Sequence, residues 1–429
     1  MSVCHNAAGP SDVAKFHKTV EMMGEDFLLG SDHYYTLGQN WSQNNPTPQH
    51  IIRAFSSLER MRLLGMPPSV LEMPGGSPSD TPPILWEDLL AWYRANIAFG
   101  MKGVNYYVYT GGPNFPGSGA TCDVYDYNAI IHADGSMNET YRAMKDVGIF
   151  MKDNSWLQRA QRKTSVAVGF TWEHACAWDF EYQDMAVSTA SAANFQEKGI
   201  LHTLLCSRYA PELTALDGEL DLSKPLIIAS ASCMEDKVQQ KLVDFVKMGG
   251  KLILFGGMPQ YHTDFTPCSI LKDFCGVAQL GSGISTDKPI TLYDGSNMYQ
   301  MNRVQTLPVV PEGCSSMGTD TMSGHSVGFR KDCGGTLIWM GVQWNMNLFV
   351  QAEMLENMLA DLGAQPVAES SNRNLFTSVL ESPDGRRMLF IMNLYSGAQH
   401  TDITVYRDGQ PYRLEHFILK PMEVRWMEI

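Results

Sequence analysis

Several things are missing from this 429-residue chain, and each absence excludes something. No apolar run approaches the ~20 residues of a membrane-spanning helix. No Lys/Arg-rich amphipathic stretch is present that would hold the chain on an anionic membrane. Bases are scarce, 32 against 46 acids, and the formal charge of −14 repels a phosphate backbone. Neither nucleic acid nor a membrane is therefore an expected partner. The nine cysteines (4, 122, 176, 206, 233, 268, 275, 314 and 333) are odd in number and never form a C-x-x-C pair, so they read as reduced thiols. Met1–Pro10 has no basic or apolar leader segment and does not read as a signal peptide; cytoplasm is the default location. There is no internal repeat.

Apolar material is plentiful. Hydrophobic residues make up 44% of the chain, with 18 Phe, 17 Tyr and nine Trp, enough for several packed cores. At roughly 100–200 residues per domain, two to four domains fit.

Residues 1–157 alternate short apolar strands with helices. Strands are expected at the N-terminus and at 26–32, 69–72 and 104–109, and helices at 49–64, 86–99 and 138–151, with Gly100 as a helix stop. This alternation predicts a parallel sheet. Its strands end in polar or aromatic residues and long loops, as at the active-site face of a (β/α)8 barrel. Such barrels take ~250 residues, so about 157 correspond to the C-terminal half of a TIM barrel, roughly the last four βα units. The chain reads as starting inside a domain.

Residues 158–367 change character. Buried strands at 164–170, 226–230 and 251–255 flank a helix at 235–248, a doubly wound α/β pattern with a β insertion at about 281–334. Residues 368–429 read as strand, turn, strand, with Asp384-Gly385 and Asp408-Gly409 as turn signals, and predict a small antiparallel β domain of sandwich type.

The candidate chemistry lies in the first domain. Glu72 ends a strand and meets a Pro/Gly loop; Asp32-His33-Tyr34 ends the strand before it. Asp32 and His33 are equally readable as hydroxyl-binding residues or as residues that fix loop backbone; His5-Asn6 is placed similarly and is weaker. Further on come Val104-Asn-Tyr-Tyr-Val-Tyr-Thr-Gly-Gly-Pro-Asn-Phe115 and Val124-Tyr-Asp-Tyr-Asn-Ala129. Aromatic faces stack on sugar C–H surfaces, amides and acids bind hydroxyls, and a central carboxylate attacks or stabilises an oxocarbenium-like centre.

Those two segments, with Asp134-Gly135 and Tyr141-Arg-Ala-Met-Lys-Asp146, resemble the end of the catalytic barrel of family-35 β-galactosidases. Residues 158–367 resemble the trimer-forming, amidotransferase-like (flavodoxin-type) middle domain of the related family-42 enzymes. The resemblance implies a retaining β-galactosidase-like hydrolase of carbohydrate metabolism acting on a terminal β-galactoside or related β-hexoside. Glu72 would be its nucleophile, Tyr107, Tyr127 and Asn114 would line the sugar pocket with Asp32 and His33, and a homo-trimer is implied. Departures are Met73 for an aromatic, Gly75-Gly76 for Gly-Trp, Pro113 for Thr and Asn128 for Asp; they bear on galactose specificity. The family's acid/base is the Glu of an Asn-Glu pair on an earlier strand, whereas the only such pair here, Asn138-Glu139, opens a helix. The alternative reading follows: a catalytically incomplete fragment or split subunit with a carbohydrate-binding or oligomerising role.

Other signals point to no cofactor or metal. Ala231-Ser-Cys-Met-Glu lacks the glycines of a nucleophile elbow, so Cys233 reads as a structural thiol. Gly281-Ser-Gly lacks the third glycine of a phosphate loop. His174 and Cys176 bring no further zinc ligands, and the 26 methionines read as core filler.

Overall fold

The computed structural model describes residues 3–7, 9–35, 47–76, 84–117, 123–176, 189–282, 290–298, 302–303, 305–344, 349–414 and 416–429. The side chains of His5 and Asn6, part of the loop after Glu72 and part of the β insertion lie outside the described residues. Two compact units are present. One comprises Met1–Lys163, Ser370–Val405 and Pro411–Ile429; the other comprises Thr164–Glu369 and Tyr406–Gln410.

The first unit is built on a four-stranded sheet in sequence order. Its strands are β1 (Val3–Ala7), β2 (Phe27–Asp32), β3 (Ser69–Pro74) and β4 (Gly103–Tyr107). All three pairings are parallel, as the alternation of strands and helices requires. The connections carry α1 (Pro10–Lys15), α2 (His17–Met23), α3 (Pro48–Leu63) and α4 (Trp86–Ala98), and α5 (Tyr141–Asp153) follows β4. Thr47 starts α3 through a capping box with His50, and Pro48 supplies a preset first turn. Gly100, at φ +98°, takes the left-handed position just past α4. Trp92, Ile97, Phe55 and Phe99 are buried where α3 and α4 pack, and the Phe55 and Phe99 rings meet edge to face at 5.3 Å.

Ser370–Val405 and Pro411–Ile429 belong to this same unit, while the Asp408-Gly409 turn falls in the other. Phe376–Glu381, Arg387–Asn393 and Glu423–Glu428 pair antiparallel. Ser378 Oγ donates to the Ala98 carbonyl at 2.6 Å, and Phe150 of α5 packs on Trp426 at 4.7 Å. Gly385 sits at φ +86°, Asp408 at +51° and Gly409 at +76°, so both expected turns fall where left-handed residues are needed.

The second unit carries a nine-stranded sheet. Val166–Phe170, Leu226–Ser230, Lys251–Gly256 and Gly335–Met340 are parallel neighbours, with Pro211–Ala215 on the far edge. Strands of the expected β insertion join this same sheet. Ser326–Cys333 pairs antiparallel with Gly335–Met340, and Ser315–Asp320 and Ile290–Leu292 continue the sheet outward. Ile227, Ile253, Leu254 and Trp339 are essentially inaccessible to water. These strands are covered on both faces, which explains their unbroken apolar runs.

Candidate active site

Strand parity builds the site. Side chains alternate along β2 and its continuation: Ser31, His33 and Tyr35 are buried, whereas Asp32 and Tyr34 are half-buried on the opposite face. Ser31 pairs with Val70 and Asp32 with Glu72, so β3 carries one extra residue between Val70 and Glu72. The other neighbour reports the same irregularity, because Val70 pairs with Val104 but Met73 with Tyr106. This is a β-bulge at Leu71. Without it, Glu72 would share the face of Val70, two residues away; with it, Glu72 takes the face of Asp32. Asn105 of β4 donates its side-chain amide to the Leu71 carbonyl at 3.0 Å, satisfying a group that the bulge leaves outside the ladder. Gly30 is required opposite, because a Cβ there would lie 2.1 Å from Leu71 Cγ.

Around Glu72 the geometry is specific. Tyr34 donates its hydroxyl to Glu72 Oε2 at 3.2 Å. Burial, and next the charge of Glu72, hold that phenol protonated far above its ordinary range. Asp32 is the register partner of Glu72, and its Oδ1 is buried without a hydrogen-bond partner. Burial, then the negative charges of Glu72 and Asp12, push the Asp32 carboxyl up to about 7. Near neutrality it is therefore protonated in part, and in that form it can both donate to and accept from a ligand hydroxyl. Burial and Glu72 also raise the Tyr107 phenol.

Aromatic rings stand beside the carboxyls. Tyr125 lies 6.1 Å from Tyr107 and 4.7 Å from Tyr127, both edge to face. Tyr127 and Asn128 adopt φ of 45° and 54°, left-handed values that non-glycine residues rarely take. Gly76 accounts for the tightness of this turn: a Cβ there would lie 2.2 Å from the Tyr127 carbonyl oxygen, leaving no room for a tryptophan. Gly75 donates its N–H to the Tyr107 carbonyl at 2.9 Å. Asp126 anchors the loop, accepting from His132 Nδ1 at 2.9 Å and from the Ala129 and Ala133 amides.

The structure thus brings Asp32, Glu72, Tyr107 and Tyr127 to one end of the sheet, and adds Tyr34. His33 is not among them. Parity turns its ring to the helix side, 4% exposed, between Ser31 Oγ at 2.7 Å and Asn96 Oδ1 at 2.5 Å. Burial pushes its pKa down to about 4, so the ring is neutral, and its backbone carbonyl accepts from Trp92. Asn114 stands in the glycine loop, where its backbone N–H donates to the Asp123 carbonyl at 2.9 Å. Glu139 is 73% exposed beside Arg142, at a helix start as the sequence suggested. Tyr34 and Asn105 escaped the sequence reading; alternation from Asp32 selects Tyr34, but no local signal marks the bulge that Asn105 serves.

The second unit offers less. Cys233 is buried, and burial followed by Glu235 raises its thiol pKa, which disfavours the thiolate. Ligand atoms of Glu235, Asp236 and His262 lie within 4.8 Å of one another. The turn and the helix start already occupy both acids: Glu235 accepts from the Thr263 amide at 3.0 Å, and Asp236 from the Lys237 amide at 2.6 Å.

Comparison with known proteins places these features in context. Residues 181–307 match the model of the GLMA-like second domain. Over 198 residues, 43% of this chain, the sequence is 31% identical to an exo-β-D-glucosaminidase of Pyrococcus horikoshii, and the match spans 25% of that protein. A GH42 β-galactosidase from G. stearothermophilus superposes with a TM-score of 0.73 at 14% identity, covering 97% of this chain and 60% of that one. The β-galactosidase of Bacillus circulans sp. alkalophilus gives 0.74 at 14% identity, covering 100% and 63%. The chain spans about a quarter of the length of the curated relative it matches. In its fold this chain is similar to roughly the corresponding three-fifths of those β-galactosidases.

Proposed function

We propose that this chain carries the nucleophile side of a retaining glycoside hydrolase site for a terminal β-hexoside. One observation carries the reading: the bulge at Leu71 presents Glu72 beside Asp32 and under the Tyr34 hydroxyl, next to the Tyr107–Tyr125–Tyr127 rings. Glu72 Oε1 or Oε2 attacks the anomeric carbon, the aglycone oxygen leaves, and a glycosyl ester forms that water later hydrolyses. Tyr34 fixes the carboxyl for in-line approach, and its hydroxyl remains a donor throughout. Asp32 binds a ring hydroxyl, and the tyrosine faces take the apolar side of the sugar. Proton donation to a poor leaving group belongs to a second carboxyl, which the resemblance assigns to an earlier strand. A β-galactoside fits the likeness to the β-galactosidases; a β-glucosaminide fits the likeness to the exo-β-D-glucosaminidase.

The test uses activated substrates, which need little protonation of the leaving group. Incubation with 2,4-dinitrophenyl 2-deoxy-2-fluoro-β-galactoside, followed by peptide mass spectrometry, should place the sugar on the peptide containing Glu72. Label on another residue, or none after prolonged incubation, overturns the assignment. Turnover of 2,4-dinitrophenyl β-galactoside against the matching β-glucosaminide then chooses the sugar.

A further inference from the structure

Far from these strand ends in sequence, the C-terminal strands hold a second constellation. Gln399–Thr401 pairs antiparallel with Phe417–Leu419, His400 opposite Ile418 and Thr401 opposite Phe417. Asp402 directly follows Thr401 and His416 directly precedes Phe417, and the two side chains are in contact. Residues 400 and 402 share a face, so His400, Asp402 and His416 stand together on one side of a two-stranded ribbon.

Their side chains meet in a particular way. His400 Nδ1 lies 3.4 Å from His416 Nε2, and the ring centroids are 5.7 Å apart. The other nitrogen of His416, Nδ1, lies 3.0 Å from Asp402 Oδ1. Arg413 holds the second Asp402 oxygen at 2.7 Å. With Nδ1 of His416 on the Asp402 carboxylate, Nε2 is the nitrogen that faces His400. On the other side, Asn372 ties the His400 carbonyl at 3.1 Å, fixing the strand that carries the ring.

A separation of 3.4 Å is long for an N–H···N hydrogen bond. It matches the span between two nitrogens on one tetrahedral ion: with metal–nitrogen bonds of 2.0–2.1 Å, that span is about 3.3 Å. The Asp402–His416 contact is the carboxylate–histidine arrangement that fixes tautomer and ring orientation in metal-ligating imidazoles. We propose that His400 Nδ1 and His416 Nε2 form a two-imidazole site for a divalent transition-metal ion of the zinc, nickel or copper class, with Asp402 orienting His416. His416 is 54% exposed, so the remaining coordination positions open to water. Imidazole nitrogens without a carboxylate oxygen in the ligand set select against magnesium and calcium. The proposal is independent of the glycosidase reading.

The test needs only the full chain. Crystals soaked in zinc chloride should show an anomalous peak about 2.1 Å from both His400 Nδ1 and His416 Nε2. In solution, titration with Ni2+ should show one site whose affinity falls at least tenfold in H400A and in H416A. It should fall about 10-fold in D402N, the loss typical of removing an outer partner. Circular dichroism should be unchanged, since all three residues lie at the surface. Equal nickel affinity in wild type and the H400A/H416A double variant, or an anomalous peak that touches neither imidazole, overturns the proposal.

Discussion

Both units present parallel strands that end in loops carrying acids, and the ends differ in what those acids touch. At the Leu226–Ser230 end, Glu235 is satisfied by Thr263 and Asp236 by the first turn of the Asp236–Lys247 helix. At the β2–β3 end, Asp32 keeps a buried oxygen without a partner and faces another acid across the register. The carboxyl ends of parallel strands are where ligands bind in α/β folds, so both ends are candidates. The difference lies in the local chemistry: one set of acids completes backbone turns, while at the other end Asp32 Oδ1 is buried without a hydrogen-bond partner, which a ligand or a proton relieves.

The largest test of that contrast is E72Q. If Glu72 is the nucleophile proposed above, it should lower turnover of a 2,4-dinitrophenyl glycoside by at least about 10³-fold with folding unchanged, as removal of a covalent nucleophile does. Next, Y34F removes one hydroxyl donated to a charged group, worth about 1.5–3 kcal/mol, so kcat should fall roughly 10–100-fold. H33A should instead lower Tm by several degrees, because its ring is packed against Trp92 and bridges Ser31 to Asn96. Equal activity losses in Y34F and H33A would erase the parity argument.

Asp32 gives a smaller, pH-dependent effect. Its folded pKa, about 7, lies above the ordinary 3.8. Between those values the folded state keeps a proton that the unfolded state has lost, so stability declines as pH rises through this window and the loss is complete above 7. D32N removes the liability. It should raise Tm by a few degrees at pH 8 and leave no gain below pH 4, and differential scanning calorimetry across that range reads both. C233A in the second unit should be the mildest change, within about 2 kcal/mol in stability and without effect on glycoside turnover.

Much of this was legible in the sequence because alternation and periodicity are local. The β2, β3 and β4 strands, the α3 and α4 helices and the Gly100 stop all announce themselves through apolar spacing and a terminating residue. Glu72 and Asp32 were legible as strand-end acids. The sequence reading favours His33 over Tyr34, and the structure reverses that choice: counting from Asp32 by twos leads to Tyr34, while His33 turns to the helix side. The bulge could not be read, because it is a property of pairing among three strands and leaves no mark in β3 alone. The antiparallel extension of the second sheet was also hidden, since Ser326–Cys333 takes its place only through its ladder with Gly335–Met340.

The bulge also constrains how this sequence can drift. Leu71 owes its place to the absence of a side chain at Gly30, and its carbonyl owes its partner to Asn105. The three positions lie on three different strands and act as one inherited unit. An alanine at 30 is compatible with this backbone only once residue 71 has become smaller. A lineage that acquires the two changes in the wrong order passes through a chain whose glutamate no longer faces the aspartate. Substitutions at 30 and 71 should therefore compensate each other, and random variants that retain one without the other should lose the site while keeping the sheet.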